Sequence, residues 1–169
     1  MIRNFNAAEF EHHIPRFAEI LIDAVESGAG VSFIAPLSKD DAEKFWQSKI
    51  AGVASGEIYP LVAKVDGVIA GVVLLIRAWA PNQPHHSDVS KLLVHRQFRR
   101  LGVATALMEA LETKAKALKQ TLLTFDASAH GPVENFYTSL GYSCVGHFPG
   151  YAYSGTGEME DTALFYKKL

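Results

Sequence analysis

The chain has 169 residues, 49% of them hydrophobic and 20% charged, the profile of one globular domain able to fold without disulfides or metals. A formal net charge of −2 argues against nucleic acid as the main partner, because phosphate binding needs a concentrated basic surface. The single cysteine, Cys144, excludes an intramolecular disulfide and a multi-cysteine metal site, and its neighbours Ser143 and Val145 predict a packed strand residue rather than a nucleophile.

The start of the chain, Met1 to Asn4, lacks the apolar core of a signal peptide. The longest apolar run, Val68 to Ile76, is shorter than the roughly 20 residues a bilayer requires. The expectation is a cytoplasmic protein with no membrane partner. Residues 9–27 carry Phe10, Ile14, Phe17, Ile20, Leu21 and Val25 at helical spacing, and Gly28 and Gly30 stop that helix. Ser38 is placed to cap a second helix, with Asp40 and Asp41 in its first turn and Phe45 and Trp46 facing inward.

After Gly56 the pattern changes to strands. Ile58 to Val65 and Val68 to Ile76 are joined by Asp66-Gly67, a two-residue hairpin signal, and Asp88 to Val94 follows as a third strand. A helical period returns from Gly102 to Leu118, then a buried strand from Thr121 to Phe125. Gly131-Pro132 opens a short helix that Gly141 closes. Val145 to Phe148 and Ala163 to Tyr166 are the last strands. The predicted fold class is α/β, a mixed central sheet flanked by helices in a single domain spanning 1–169.

The stretch that carries chemistry is Leu92 to Thr105, LLVHRQFRRLGVAT. It predicts a strand, a short basic loop, and Gly102-x-Ala104 opening a helix. A helix N-terminus offers unpaired N–H groups and a partial positive charge, which favour phosphate oxygens. Small residues at Gly102 and Ala104 let such a ligand approach the backbone, and Arg99 and Arg100 add fixed charge beside it, so a pyrophosphate fits. The plain alternative is a packing or capping glycine with solvated arginines. The P-loop pattern and the Gly-x-Gly-x-x-Gly dinucleotide pattern are both absent.

Arg99-x-x-Gly102-x-Ala104, with Leu92-x-Val94 before it, resembles the signature of the GNAT acetyltransferases. Asn135-Phe136-Tyr137 followed by Leu140-Gly141-Tyr142 is similar to a second segment of that family. ESGAGVSFIAPL (Glu26 to Leu37), NQPHHSDVSKLLVHR (Asn82 to Arg96) and FYTSLGY with Pro149 to Ala152 resemble, more narrowly, the tabtoxin-resistance group within it. The resemblance implies a GNAT-like fold and acetyl-CoA as cosubstrate. Leu92, Leu93 and Val94 would run along its pantetheine arm. Arg99, Arg100, Gly102, Val103, Ala104 and Thr105 would meet its pyrophosphate, and Asn135 and Tyr137 would make further contacts. Tyr137 would be the general acid for the departing thiolate, a backbone N–H near Val94 would hold the carbonyl oxygen, and the acceptor would be the amine of a small molecule, a toxin or an antibiotic. A homodimer is implied as well, since relatives are often dimers. Two positions depart from the family pattern: Leu101 where a basic residue is common, and His130 where asparagine is common.

Asp126 is the candidate base, because it follows the strand 121–125 where that strand should separate from its neighbour, and it matches an aspartate of the tabtoxin-resistance group; a turn or capping role is the alternative. His85, His86 and His130 are further candidates at the acceptor side. The adjacent pairs His12-His13 and His85-His86 point their side chains in different directions, so no metal site is expected from them. Phe33, Trp79, Tyr151 and Tyr153 are candidates to line the acceptor cleft, and Trp46 to sit in the core. Two other functions remain compatible with these residues: acetylation of a protein N-terminus or lysine, and a non-catalytic acyl-CoA sensor.

Overall fold

A computed structural model describes residues 1–129 and 131–169; His130 lies outside the described residues. The chain opens with β1 (Ile2–Asn4), a strand absent from the expected elements, and continues into α1 (Ala7–His12) and α2 (Ile14–Glu26). These two replace the single helix expected over 9–27. The break falls at His13, because Pro15 has no N–H to donate and suits the first turn of a new helix. Asn6 and Glu9 cap α1 reciprocally. Ser38 caps α3 (Lys39–Gln47) as expected, its hydroxyl accepting from the Asp41 N–H at 3.1 Å. A further short helix, α4 (Ile50–Ser55), leads to the sheet.

The hairpin of β2 (Ile58–Val65) and β3 (Val68–Arg77) turns at Asp66 and Gly67, both at positive φ, 48° and 80°, the pair of angles a two-residue turn of this hand needs. Then come β4 (His86–Val94), a 3₁₀ turn (Arg96–Phe98), α5 (Val103–Ala117), β5 (Leu122–Ser128), α6 (Gly131–Ser139), β6 (Ser143–Tyr153) and β7 (Met159–Lys168). The seven strands form one mixed sheet in the order β1-β2-β3-β4-β5-β7-β6, in which β4 and β5 are the parallel neighbours.

Both faces of the sheet are covered. Val62, Ile69, Val72 and Leu74 pack under α1, α2 and α3 with Phe10, Phe17 and the fully buried Trp46. Leu61, Val73 and Leu75 pack on the other face against Leu107, Met108 and Leu111 of α5, with Phe125, Tyr137 and Phe165 beyond them. Trp46 is therefore core. Cys144 is not: it lies on a strand as expected, but on β6 at one edge of the sheet, and is exposed.

Two irregularities interrupt the regular pairing around β4. Strands β4 and β5 pair only at His86↔Leu122, Ser87↔Leu123 and Asp88↔Thr124, and then separate. On its other side β4 bulges, placing Lys91 and Leu92 opposite the single residue Val73, with Lys91 at φ +53°. Gly71 lets the bulged strand close in, since a Cβ there would stand 2.6 Å from the Leu93 carbonyl oxygen.

Candidate active site

Where β4 and β5 part, a cavity of about 680 Å³ opens. Val89 to Val94 form one wall, Phe125 to Ser128 the other, and Pro132, Val133, Phe136 and Tyr137 of α6 close one side. Beyond Asp88 the edge of β4 that faces β5 has no strand partner, so its backbone groups are available to an extended ligand carrying amides.

The basic loop and the start of α5 lie at one end of this cleft. Gly102, at φ +75° with open space around it, is the N-cap and offers no side-chain cap. The N–H groups of Val103, Ala104 and Thr105 therefore lack intrahelical partners, the arrangement that favours an anion. Arg100 and Ala104 line the cavity, whereas the Val103 side chain is buried in the core and neither Gly102 nor Thr105 belongs to the lining. An arm with amides and a doubly charged head fits this surface: strand edge and apolar wall for one, helix N-terminus and arginine for the other.

Arg99 also lines the cavity, but its guanidinium is already engaged. It donates to the Val94 carbonyl at 3.1 Å, to Asp23 Oδ2 at 3.1 Å and to Ser27 Oγ at 3.2 Å. Asp23 also accepts from the Arg96 N–H at 2.9 Å and from the Arg96 side chain. A buried carboxylate thus holds the whole loop against α2. Sequence reasoning missed Asp23, although a carboxylate amid the inward-facing apolar positions of a helix was a signal that it has a partner.

Tyr137 and Asp126 both line the cleft, from α6 and β5. Asp126 lies inside β5, paired across the sheet with Leu164, rather than after its end; the strand runs three residues beyond the expected limit because β7 goes on pairing with it. It stands two residues past the last β4–β5 pair, where separation of the strands was expected. Tyr137 is buried among Phe125, Phe136 and Phe165. Burial, and then the charge of Asp126, push its hydroxyl well above the usual tyrosine range, so it holds its proton. Lys91, also missed, projects from the bulge into the same cavity. Its ammonium donates to Ser32 Oγ at 3.0 Å and lies 5.3 Å from the Phe45 ring centre. It has no ion-pair partner among the described residues, and burial followed by the charge of Lys49 lowers its pKa against the opposing pull of Asp126.

A second cavity of about 380 Å³ adjoins the first and shares Gly30, Ser32, Asp126, Ser128 and Glu160 with it. Phe33, Tyr151 and Tyr153, the aromatic candidates for an acceptor cleft, line it. The β6–β7 loop closes it against the segment after α2, where Ala35 donates to the Gly155 carbonyl at 2.8 Å. Trp79 does not belong to it, being 93% exposed and in neither lining. Asn135 and His85 are likewise exposed and outside both cavities; His86 is half-buried and also outside them, bonding Thr124 Oγ1 at 2.6 Å instead.

Residues 18–142 match the family model described as the acetyltransferase (GNAT) family. An uncharacterised N-acetyltransferase from the hisH–hisA intergenic region of Azospirillum brasilense is 30% identical over 106 residues, 62% of this chain and 61% of that one. The alignment thus spans under two thirds of that relative's length. Among solved structures, a phosphinothricin acetyltransferase from Sinorhizobium meliloti in complex with acetyl-CoA superposes with a TM-score of 0.83 at 19% identity, over 100% of this chain and 88% of its own. A ribosomal-protein-alanine N-acetyltransferase from Brucella melitensis superposes with a TM-score of 0.81 at 19% identity, over 100% of this chain and 99% of its own. With the family model covering most of its length and the sheet parted where the family's signature lies, the chain belongs to the GNAT family of acetyltransferases.

Proposed function

We propose that this chain is an acetyl-CoA-dependent N-acetyltransferase whose acceptor is the amine of a small molecule. The observation that carries this reading is the pair of joined cavities with Asp126 at their junction and Tyr137 in the larger one. The larger suits the cosubstrate, and the smaller, about 380 Å³ with aromatic walls, has the size of a small-molecule site. When bound, acetyl-CoA supplies the activated thioester.

The protein's part is proton management and alignment. An amine with a pKa of about 10.4 is neutral in roughly one molecule in 2,500 at pH 7, a deficit of about 4.6 kcal/mol. Asp126 takes the proton at its carboxylate, directly or through water. The Lys91 ammonium acts in the same direction, since a cation nearby disfavours a protonated acceptor. Tyr137, held protonated by burial, gives its hydroxyl proton to the departing thiolate. A backbone N–H near Val94 meets the carbonyl oxygen, where it steadies the charge that develops there. Arg100 and the first amides of α5 would hold the pyrophosphate, with Arg99, tied to Asp23, fixing the loop beside them.

Detoxification of a toxin or antibiotic is the biological role we favour, on the resemblance of Glu26 to Leu37 and Asn82 to Arg96 to the tabtoxin-resistance group. The fold likeness to a ribosomal-protein acetyltransferase supports a second reading, acetylation of a protein N-terminus. A thiol-release assay with acetyl-CoA against amino acids, polyamines, aminoglycosides and β-lactam toxins tests the proposal. Turnover of one group supports it; acetylation of N-terminal peptides alone would replace it with the second reading.

A further inference from the structure

Outside both cavities, Glu134 of α6 and Cys144 and His147 of β6 bring a carboxylate, a thiol and an imidazole within 4.8 Å of one another. In a regular strand, residues three apart face opposite ways. Here they share a face because β6 bulges: Cys144 pairs with Phe165, Gly146 with Leu164 and His147 with Ala163, so Val145 is the extra residue. Phe165 and Ala163 are alternate residues of β7, both buried beneath the helices. Cys144 and His147 therefore point to the side that α6 covers, and Glu134 meets them from above. His147 Nε2 donates to Glu134 Oε1, while among the described residues the Cys144 thiol has only the Gly146 carbonyl, at 3.6 Å.

An ion pair between Glu134 and His147 makes no use of the thiol. One sulfur, one nitrogen and one oxygen donor suit a borderline cation with tetrahedral preference. Metal–ligand bonds of about 2.0–2.3 Å separate neighbouring tetrahedral ligands by about 3.3–3.8 Å, which these side chains reach by small rotations. Calcium and magnesium need more oxygen donors than the cluster has.

We propose that Glu134, Cys144 and His147 form a zinc site with water as fourth ligand, one that ties α6 to the edge strand and takes no part in acetyl transfer. The chain's only cysteine makes the test specific. Cobalt added to the reduced, metal-free protein should give one equivalent of binding with a thiolate-to-cobalt charge-transfer band, and zinc should abolish that band with a dissociation constant of about 1 µM or lower. Cys144→Ser should lose the band, and both it and His147→Ala should bind zinc at least tenfold more weakly. Glu134→Gln should weaken binding similarly and serves in place of His147→Ala if that variant fails to fold. Zinc should raise the melting temperature of the wild type by about 5 °C and leave that of Cys144→Ser unchanged. Cobalt binding without a thiolate band, or equal zinc affinity in wild type and Cys144→Ser, would overturn the proposal, placing any metal on histidines elsewhere.

Discussion

The carboxylate of Asp23, 6% exposed, accepts from the guanidinium of Arg99 at 3.1 Å, so the end of α2 and the loop before α5 move as one piece. Replacement by asparagine keeps the shape but leaves Arg96 and Arg99 without their anion. Asp23→Asn should cost about 2–3 kcal/mol of stability by urea titration. It should also weaken acetyl-CoA binding about tenfold by calorimetry, because the loop proposed to meet the pyrophosphate loses its anchor. Unchanged acetyl-CoA affinity in a folded variant would separate loop from ligand.

Tyr137→Phe removes one hydroxyl and keeps the aromatic packing. Turnover should fall at least tenfold with little change in acetyl-CoA affinity, and unchanged turnover would remove Tyr137 from the mechanism. Because the folded-state pKa of Tyr137 is raised above 10.0, the unfolded chain ionises first. This tyrosine therefore leaves stability unaffected below about pH 10 and lowers it as pH rises toward the folded value. In the Phe variant the alkaline decline measured by denaturant titration should be shallower.

Asp126→Asn should lower kcat/KM at least tenfold at neutral pH. Without a base the variant depends on amine that is already neutral, so its rate should climb about tenfold per pH unit until the acceptor's own pKa. A loss that stays constant across the pH profile would make Asp126 a binding group.

Two glycines should answer differently to alanine. A Cβ at Gly71 meets the Leu93 carbonyl at 2.6 Å and Leu107 Cδ1 at 3.2 Å, so β4 must shift, at a cost of about 2–3 kcal/mol and with weaker acetyl-CoA binding. A Cβ at Gly102 meets nothing within 4 Å, and only its φ of +75° resists. Gly102→Ala should cost about 1 kcal/mol. Equal losses in urea titrations would contradict the close approach of β3 to the bulge.

Much of the fold was legible in the residues. The Asp66-Gly67 turn, the Ser38 cap and the Gly102-x-Ala104 helix start are local, and local chemistry decides them. Helix 9–27 was misjudged because its apolar spacing continues across His13 while Pro15 interrupts the hydrogen bonding. The partners of Asp23 were not legible, since they lie more than 70 positions away although its inward-facing place was a signal, and Lys91 enters the cleft by a bulge that depends on pairing with β3. Asn135 fits a sequence pattern, but its helical position turns it to solvent. The walls of the smaller cavity come from the segment after α2 and the β6–β7 loop, which only the folded chain brings together.

The parting of β4 and β5 bears on more than ligand entry. Every strand on one side of the gap precedes Lys119 in the chain and every strand on the other follows it. Three rungs, with Thr124 bonding Asp88 and Ser87 bonding Gln120 beside them, stitch the sheet at one end only. The molecule is thus two consecutive stretches of polypeptide laid edge to edge, with their seam left open for most of its length. A cut at Lys119 would sever no strand and no helix, which makes this position the natural place to divide the chain into two complementing fragments.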